Sequence, residues 1–123
     1  MPLALVTGTS RHEFAKIMPA ALKRLFAVIV TGDAVERGKP HPGPYRKALA
    51  RLGVCPRRAL VIENAPFGIR SARRAGTCCV ALETSRTRRD LAGADRIVPS
   101  FDVLKALAPF AALRAAGRTG GGR

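Results

Sequence analysis

Four short apolar runs punctuate the chain, at residues 3–6 (LALV), 27–30 (AVIV), 60–62 (LVI) and 79–82 (CVAL). A weaker fifth, Ile97-Val98, is set off by Asp95 and Pro99. The apolar positions within each run are continuous rather than alternating, which suits parallel strands covered on both faces. Segments of helical character separate them. Strand and helix in strict alternation predict right-handed crossovers and an α/β fold built on an open, Rossmann-like parallel sheet in three layers.

The helices carry their own start and stop signals. Ser10 with Glu13 forms a capping box that opens a first helix, and Pro19 kinks or ends it. Pro44 suits the first turn of the next helix. Tyr45, Ala48, Leu49 and Leu52 then fall on one face, and Gly53 closes it. Asn64 is the expected N-cap of a third helix, with Pro66 in the first turn and Gly76 just beyond the end. There Ile69, Ala72 and Ala75 face the sheet, while Arg70, Arg73 and Arg74 look outward. A last helix is expected over 101–116, giving one domain over 1–116 and a disordered tail, GRTGGGR, over 117–123. No internal repeat and no second domain stand out.

Composition narrows the function classes. At 123 residues and 47% apolar content the chain has material for one real core. No stretch nears the roughly 18 apolar residues of a membrane span. The opening MPLALV is too short and unflanked for a signal peptide, so a soluble, cytoplasmic protein is expected. Three cysteines, Cys55 and the adjacent Cys78-Cys79, with only His12 and His41 beside them, argue against a zinc site and for reduced, buried thiols. The net charge of +14, from 17 Arg and 5 Lys, raises the question of nucleic acid. The arginines are scattered, though, aromatic residues for base stacking are few, and no nucleic-acid-binding pattern occurs. A solvated basic surface is the simpler account.

Ligands in open α/β sheets bind beyond the carboxyl ends of the strands, and three candidates fall there. Thr7-Gly8 follow the first strand; a hydroxyl and free backbone N–H groups at such a place hold a phosphate oxygen, although taken alone the pair reads as an ordinary turn. Lys39 lies in GKPHPGPY, where Pro40, Pro42 and Pro44 forbid a helix across 39–43 and stiffen the loop. A fixed ammonium there would neutralise phosphoryl oxygens; a solvated lysine beside a proline-rich turn is the plain alternative. Glu63-Asn64 end the third strand in LVIENAPFGI and supply hard oxygen ligands suited to Mg²⁺, unless Glu63 merely pairs with a neighbouring arginine and Asn64 only caps the helix.

In combination these stretches resemble a known family. LALVTGTSR, FAVIVTGDAVERGKPHPGPY, LVIENAPFGIRSARRAG and CVALET are similar to haloacid dehalogenase-like hydrolases, in the subgroup of phosphoglycolate phosphatase-like and β-phosphoglucomutase-like enzymes. The likeness runs from about residue 3 to 104. It implies that Thr7 and the following amide at Gly8 hold the transferred phosphoryl group, that Lys39 neutralises nucleophile and phosphate, and that Glu63 and Asn64 serve Mg²⁺. Asn64 departs from the commoner Asp, removing one negative charge. The implied substrate is a small phosphorylated metabolite.

One family motif is absent. Members open with a strand ending in D-x-D-[GST], whose first Asp attacks phosphorus, and a cap domain follows it. Here the four aspartates stand at 33, 90, 95 and 102, with no D-x-D. The resemblance places the lost strand between 3–6 and 60–62, so two strand edges would face a gap. Those edges close on each other, or are filled by a missing N-terminal segment or a partner chain, or leave the fold marginal. Aspartyl-phosphate chemistry needs its carboxylate nucleophile, so the chain alone is expected to lack normal family activity. The implied whole is a Mg²⁺-dependent phosphatase; the alternatives are a phosphomutase-type fragment and a non-catalytic interaction module completed by a partner chain.

Overall fold

Each apolar run becomes a strand, and every pairing is parallel. A computed structural model describes residues 2–100 and 102–103. In chain order it contains β1 (Ala4–Val6), α1 (Arg11–Ile17), α2 (Ala20–Lys23), β2 (Val28–Val30), a 3₁₀ turn at Gly32–Ala34, α3 (Gly43–Leu52), a second 3₁₀ turn at Pro56–Arg58, β3 (Leu60–Glu63), α4 (Pro66–Arg74), β4 (Cys78–Leu82) and β5 (Arg96–Val98). The expected helix over 101–116 and tail over 117–123 lie outside the described residues. No helix among those described is long and apolar enough to cross a membrane.

The strands divide between two sheets. β1 pairs with β2, Leu5 opposite Ile29; β3, β4 and β5 form the second sheet, with Ile62 opposite Val80 and Ala81 opposite Ile97. Helix α3 packs on β1 and β2, α4 packs on β3 and β4, and the two helices touch. One helical layer therefore covers both sheets. Beneath it lies the main core, Tyr45, Leu49, Val61, Ile69, Ala72, Cys79, Ala81 and Leu91, with Val6 of the first sheet packed against it. Leu60, Val80, Leu82 and Val98 pack together as a second cluster. All five residues of β4 are buried, as its central place requires, whereas β1 is only half-buried.

Local chemistry explains the helix ends. Ser10 Oγ accepts the Glu13 N–H at 3.2 Å and starts α1. Pro19 ends that segment by opening a new short helix, α2. Gly53 sits at φ 68°, the left-handed conformation that terminates α3 without a Cβ clash. On α4, Ile69, Ala72 and Ala75 are buried as their spacing predicts.

Three expectations are corrected. Asn64 does not cap α4: the N-cap is Ala65, without a side-chain bond. Pro66 at the first helical position drives the residue before it into extended backbone, and Ala65 has φ −138° and ψ 146°. Arg73 does not look outward but pairs with the Asp95 carboxylate, whose side chain is 2% exposed. Finally, of the three thiols only Cys78 and Cys79 are buried; Cys55 is exposed.

Candidate active site

The proline-rich loop delivers Lys39 to the rim of both sheets. Pro42 and Pro44 are buried, the Lys39–Pro40 peptide is cis, and the Gly43 N–H donates to His41 Nδ1 at 2.9 Å. Ser71, fully buried on α4, donates its hydroxyl to the His41 carbonyl at 2.7 Å and ties the loop to the helical layer. A lysine on so constrained a loop loses little further freedom when it makes contacts. Its Nζ donates to Glu63 Oε2 at 2.6 Å and to the Val6 carbonyl at 3.2 Å. One ammonium thus joins the carboxyl end of β1 to that of β3.

Glu63 is held from several directions. Its carboxylate is 8% exposed and its Oε2 also accepts the hydroxyl of buried Tyr45. The Asn64 N–H lies 3.3 Å from Oε1. Burial, followed by the nearby Glu63 charge, pushes the Tyr45 hydroxyl well above its ordinary titration, so it stays a neutral donor. Lys39 Nζ also lies 5.2 Å from the centre of the Tyr45 ring. From below, the first turn of α4 offers Gly68: a Cβ there would sit 2.1 Å from Glu63 Cδ and 2.2 Å from both oxygens. Only a glycine lets the carboxylate lie on the helix, near an N-terminal end that favours negative charge.

Thr7 continues β1 past the Val6 carbonyl that Lys39 holds. Its N–H donates to the Val30 carbonyl at 2.9 Å, and its Oγ1 accepts the Thr9 N–H at 3.1 Å, closing the turn. Gly8 is exposed in that turn, packed so closely that a Cβ on Gly32 would lie 2.2 Å from the Gly8 oxygen. Asn64 is exposed beside Glu63. Lys39 and Glu63 are therefore in direct contact, with Thr7 one residue from Lys39's second acceptor, while Gly8 and Asn64 stand on the solvent side. A neighbouring open cavity of about 380 Å³, lined by Glu36, Arg37, His41 and Lys47 among others, contains none of the five.

Asp33 braces this rim. Its Oδ1 accepts the Thr31 hydroxyl at 2.8 Å and the Arg11 N–H at 2.9 Å, fastening the end of β2 to the start of α1. The Thr31 bond, then the Arg11 N–H, hold its carboxyl below the usual range.

Several of these roles have only faint marks in the sequence. Tyr45 reads simply as a core-face residue, although a buried phenol requires a hydrogen-bond partner. Gly68 inside a helix costs about 1 kcal/mol against alanine, a signal that its missing Cβ has a purpose. Ser71 carries no signal at all.

The residues suit Mg²⁺ as a sparse site. Among the described residues no group of three His, Cys, Asp or Glu forms. Glu63 Oε2 is taken by two donors, whereas among the described residues Oε1 has the one long contact from the Asn64 N–H, and Asn64, whose side chain carries an amide oxygen, is exposed beside it. Mg²⁺ accepts such sets, one or two protein oxygens completed by water and phosphate.

A family profile described as haloacid dehalogenase-like hydrolase matches residues 1–82. The chain belongs to that family. Within the family it is 44% identical over 97 residues to validoxylamine A 7'-phosphate phosphatase of Streptomyces hygroscopicus subsp. limoneus, covering 77% of this chain and 45% of that protein. The crystal structure of CbbY from Rhodobacter sphaeroides in complex with phosphate superposes with a TM-score of 0.75 at 38% identity, over 85% of this chain and 48% of that one. β-Phosphoglucomutase from Clostridium difficile, at 18% identity and a TM-score of 0.76, shares the fold over all of this chain and 52% of its own. This haloacid dehalogenase-like chain thus spans about half the length of the relatives it matches.

Proposed function

We propose that the rim formed by Thr7, Lys39 and Glu63 is the phosphoryl-holding and cation-binding side of a Mg²⁺-dependent phosphomonoester hydrolase acting on a small phosphorylated metabolite. The contact that carries this reading is Lys39 Nζ bridging the Val6 carbonyl and Glu63 Oε2 at 3.2 and 2.6 Å. It fixes one positive charge where a strand end, a hydroxyl and a carboxylate meet, the composition that phosphoryl transfer uses. Thr7 and the Gly8 amide hold phosphoryl oxygens, and Lys39 neutralises their charge. Glu63 Oε1 and Asn64 would hold Mg²⁺, which when bound withdraws charge from the phosphate. The family likeness and the names of the relatives support the same chemistry. None of the rim residues is an aspartate free to attack phosphorus, so the 123-residue chain by itself is expected not to turn over.

The direct test is retention of inorganic phosphate by the purified chain in equilibrium dialysis, with and without Mg²⁺. Retention should be stronger with Mg²⁺ and should fall about tenfold or more in Lys39→Met, the loss of one charge-assisted contact. Equal retention by wild type and Lys39→Met overturns the reading. A second reading, a non-catalytic module completed by a partner, draws on one observation, the separation of the strands into two sheets. It predicts association without phosphate retention.

A further inference from the structure

Lys39 is held at both ends. At its tip stand Glu63 Oε2 and the Val6 carbonyl, 2.6 and 3.2 Å from Nζ. At its root is the proline-rich loop, whose own backbone bonds are local: the His41 N–H donates to the Gly38 carbonyl at 3.0 Å, and the Gly43 N–H to the His41 ring at 2.9 Å. Pro40 and Pro42 have no N–H to give. The Ser71 hydroxyl reaches this loop from α4, 30 positions along the chain, and donates to the His41 carbonyl at 2.7 Å.

Ser71 is an unexpected residue for its place. It is 0% exposed, on a helix whose neighbouring buried positions are Ile69 and Ala72, and there alanine would be the better helix former. A serine inside a helix can satisfy its hydroxyl on the carbonyl four residues back, here that of Phe67. This one gives its proton to another element instead. One turn earlier on the same helix, Gly68 leaves the space in which the Glu63 carboxylate lies, since a Cβ there would come within 2.2 Å of both oxygens. Residues three apart share a helix face. The two positions of α4 that depart from the expected alanine thus touch the two ends of one ion pair's support.

We propose that Ser71 is a positioning residue: through the His41 carbonyl it fixes the root of Lys39, so that α4 places both the ammonium and the carboxylate of the rim. Lys39 lies two residues before His41 in a loop with few bonds of its own. Without the Ser71 bond the loop is free to shift, and a hydrogen bond fades within a few tenths of an ångström beyond the distances seen here. Lys39 would then be held at its tip alone, by the partner it is meant to share with a ligand. With the bond, Lys39 stays at the rim whether or not Glu63 is engaged elsewhere. The placement rests on these contacts alone; only its consequence for phosphate rests on the hydrolase reading.

The experiment compares the full chain with Ser71→Ala, which removes one oxygen and leaves a better helix former in its place. Lysines are acetylated with limiting acetic anhydride, and each site's rate is read by mass spectrometry. Lys39 should label about three- to tenfold faster in Ser71→Ala, the range that one hydrogen bond between neutral groups spans. Lys47, which sits on α3 and donates to the Ala34 carbonyl, should label at its wild-type rate. Unchanged labelling of Lys39 overturns the proposal, and so does faster labelling of Lys39 and Lys47 together, the mark of a loosened fold. Inorganic phosphate retention in equilibrium dialysis gives the second reading. Ser71→Ala should lower it by a similar factor in the wild-type background and not at all in the Lys39→Met background. An equal loss in both backgrounds would mean that Ser71 does not act through Lys39, and overturns the proposal as well. A wild type that retains no phosphate overturns the hydrolase reading instead, and Lys39 labelling then decides the role of Ser71 by itself.

Discussion

Lys39 Nζ and Glu63 Oε2 stand 2.6 Å apart although 24 residues separate them in the chain, and their side chains are 20% and 8% exposed. Such a pair gains little over a well-packed apolar substitute, yet losing one member strands the other's charge. Lys39→Met should therefore cost roughly 3 kcal/mol. Lys39→Met/Glu63→Gln should cost clearly less than the two single changes added together. Urea unfolding of the four proteins in a double-mutant cycle measures the difference. Additive costs would mean the two groups do not depend on each other.

Gly68→Ala asks whether α4 seats the carboxylate. Its Cβ would fall 2.1–2.2 Å from Glu63 Cδ and both oxygens, so Glu63 must leave its place. Alanine is otherwise the better helix former by about 1 kcal/mol. The expected result is nevertheless a destabilisation of about 1–3 kcal/mol, the usual cost of overpacking, with weaker phosphate retention. A more stable protein with unchanged retention would show that the carboxylate does not lie on the helix.

The strands were legible because each is a continuous apolar run between breakers. Observed 4–6, 28–30, 60–63, 78–82 and 96–98 depart from expectation by a residue at most. Lys39 and Glu63 were legible as candidates for the same reason: polar residues at the lip of apolar runs. Their contact was not, since it depends on a loop crossing from one sheet to the other. Arg73 looked solvated because it lies on the outer side of the α4 periodicity, and only the fold brings Asp95 up beside it. Asn64 looked like a cap by residue type, but the steric demand of Pro66 on Ala65 outranked it.

Tyr45→Phe removes one donor from Glu63 Oε2 and changes no packing volume beyond the oxygen. The carboxylate keeps Lys39 but loses a bond of the charged class, worth about 1.5–3 kcal/mol. The expected loss in urea stability lies in that range, and it should shrink sharply in a Glu63→Gln background, where no charge remains to be satisfied. A loss of equal size in both backgrounds would assign the hydroxyl to something other than Glu63.

Acid should act on this fold partly through Asp95. Burial raises the titration of its carboxyl, but the Cys79 N–H at 2.8 Å and the Arg73 guanidinium outweigh burial and hold it below the ordinary value. A carboxyl that titrates lower when folded than unfolded favours the folded state wherever it is ionised. Its contribution is fully present above about pH 4, the unfolded value, and disappears as pH falls through the folded one. Urea midpoints of the wild type should accordingly drop on going from about pH 5 to pH 3. Asp95→Asn should start from a lower midpoint near neutrality, because its amide cannot match the pairing with Arg73. Its decline should also be shallower over the same window, with Asp33 left to titrate. If the two proteins lost stability in parallel, the acid response would belong to other carboxyls and the Arg73–Asp95 pair would contribute nothing that depends on its charge.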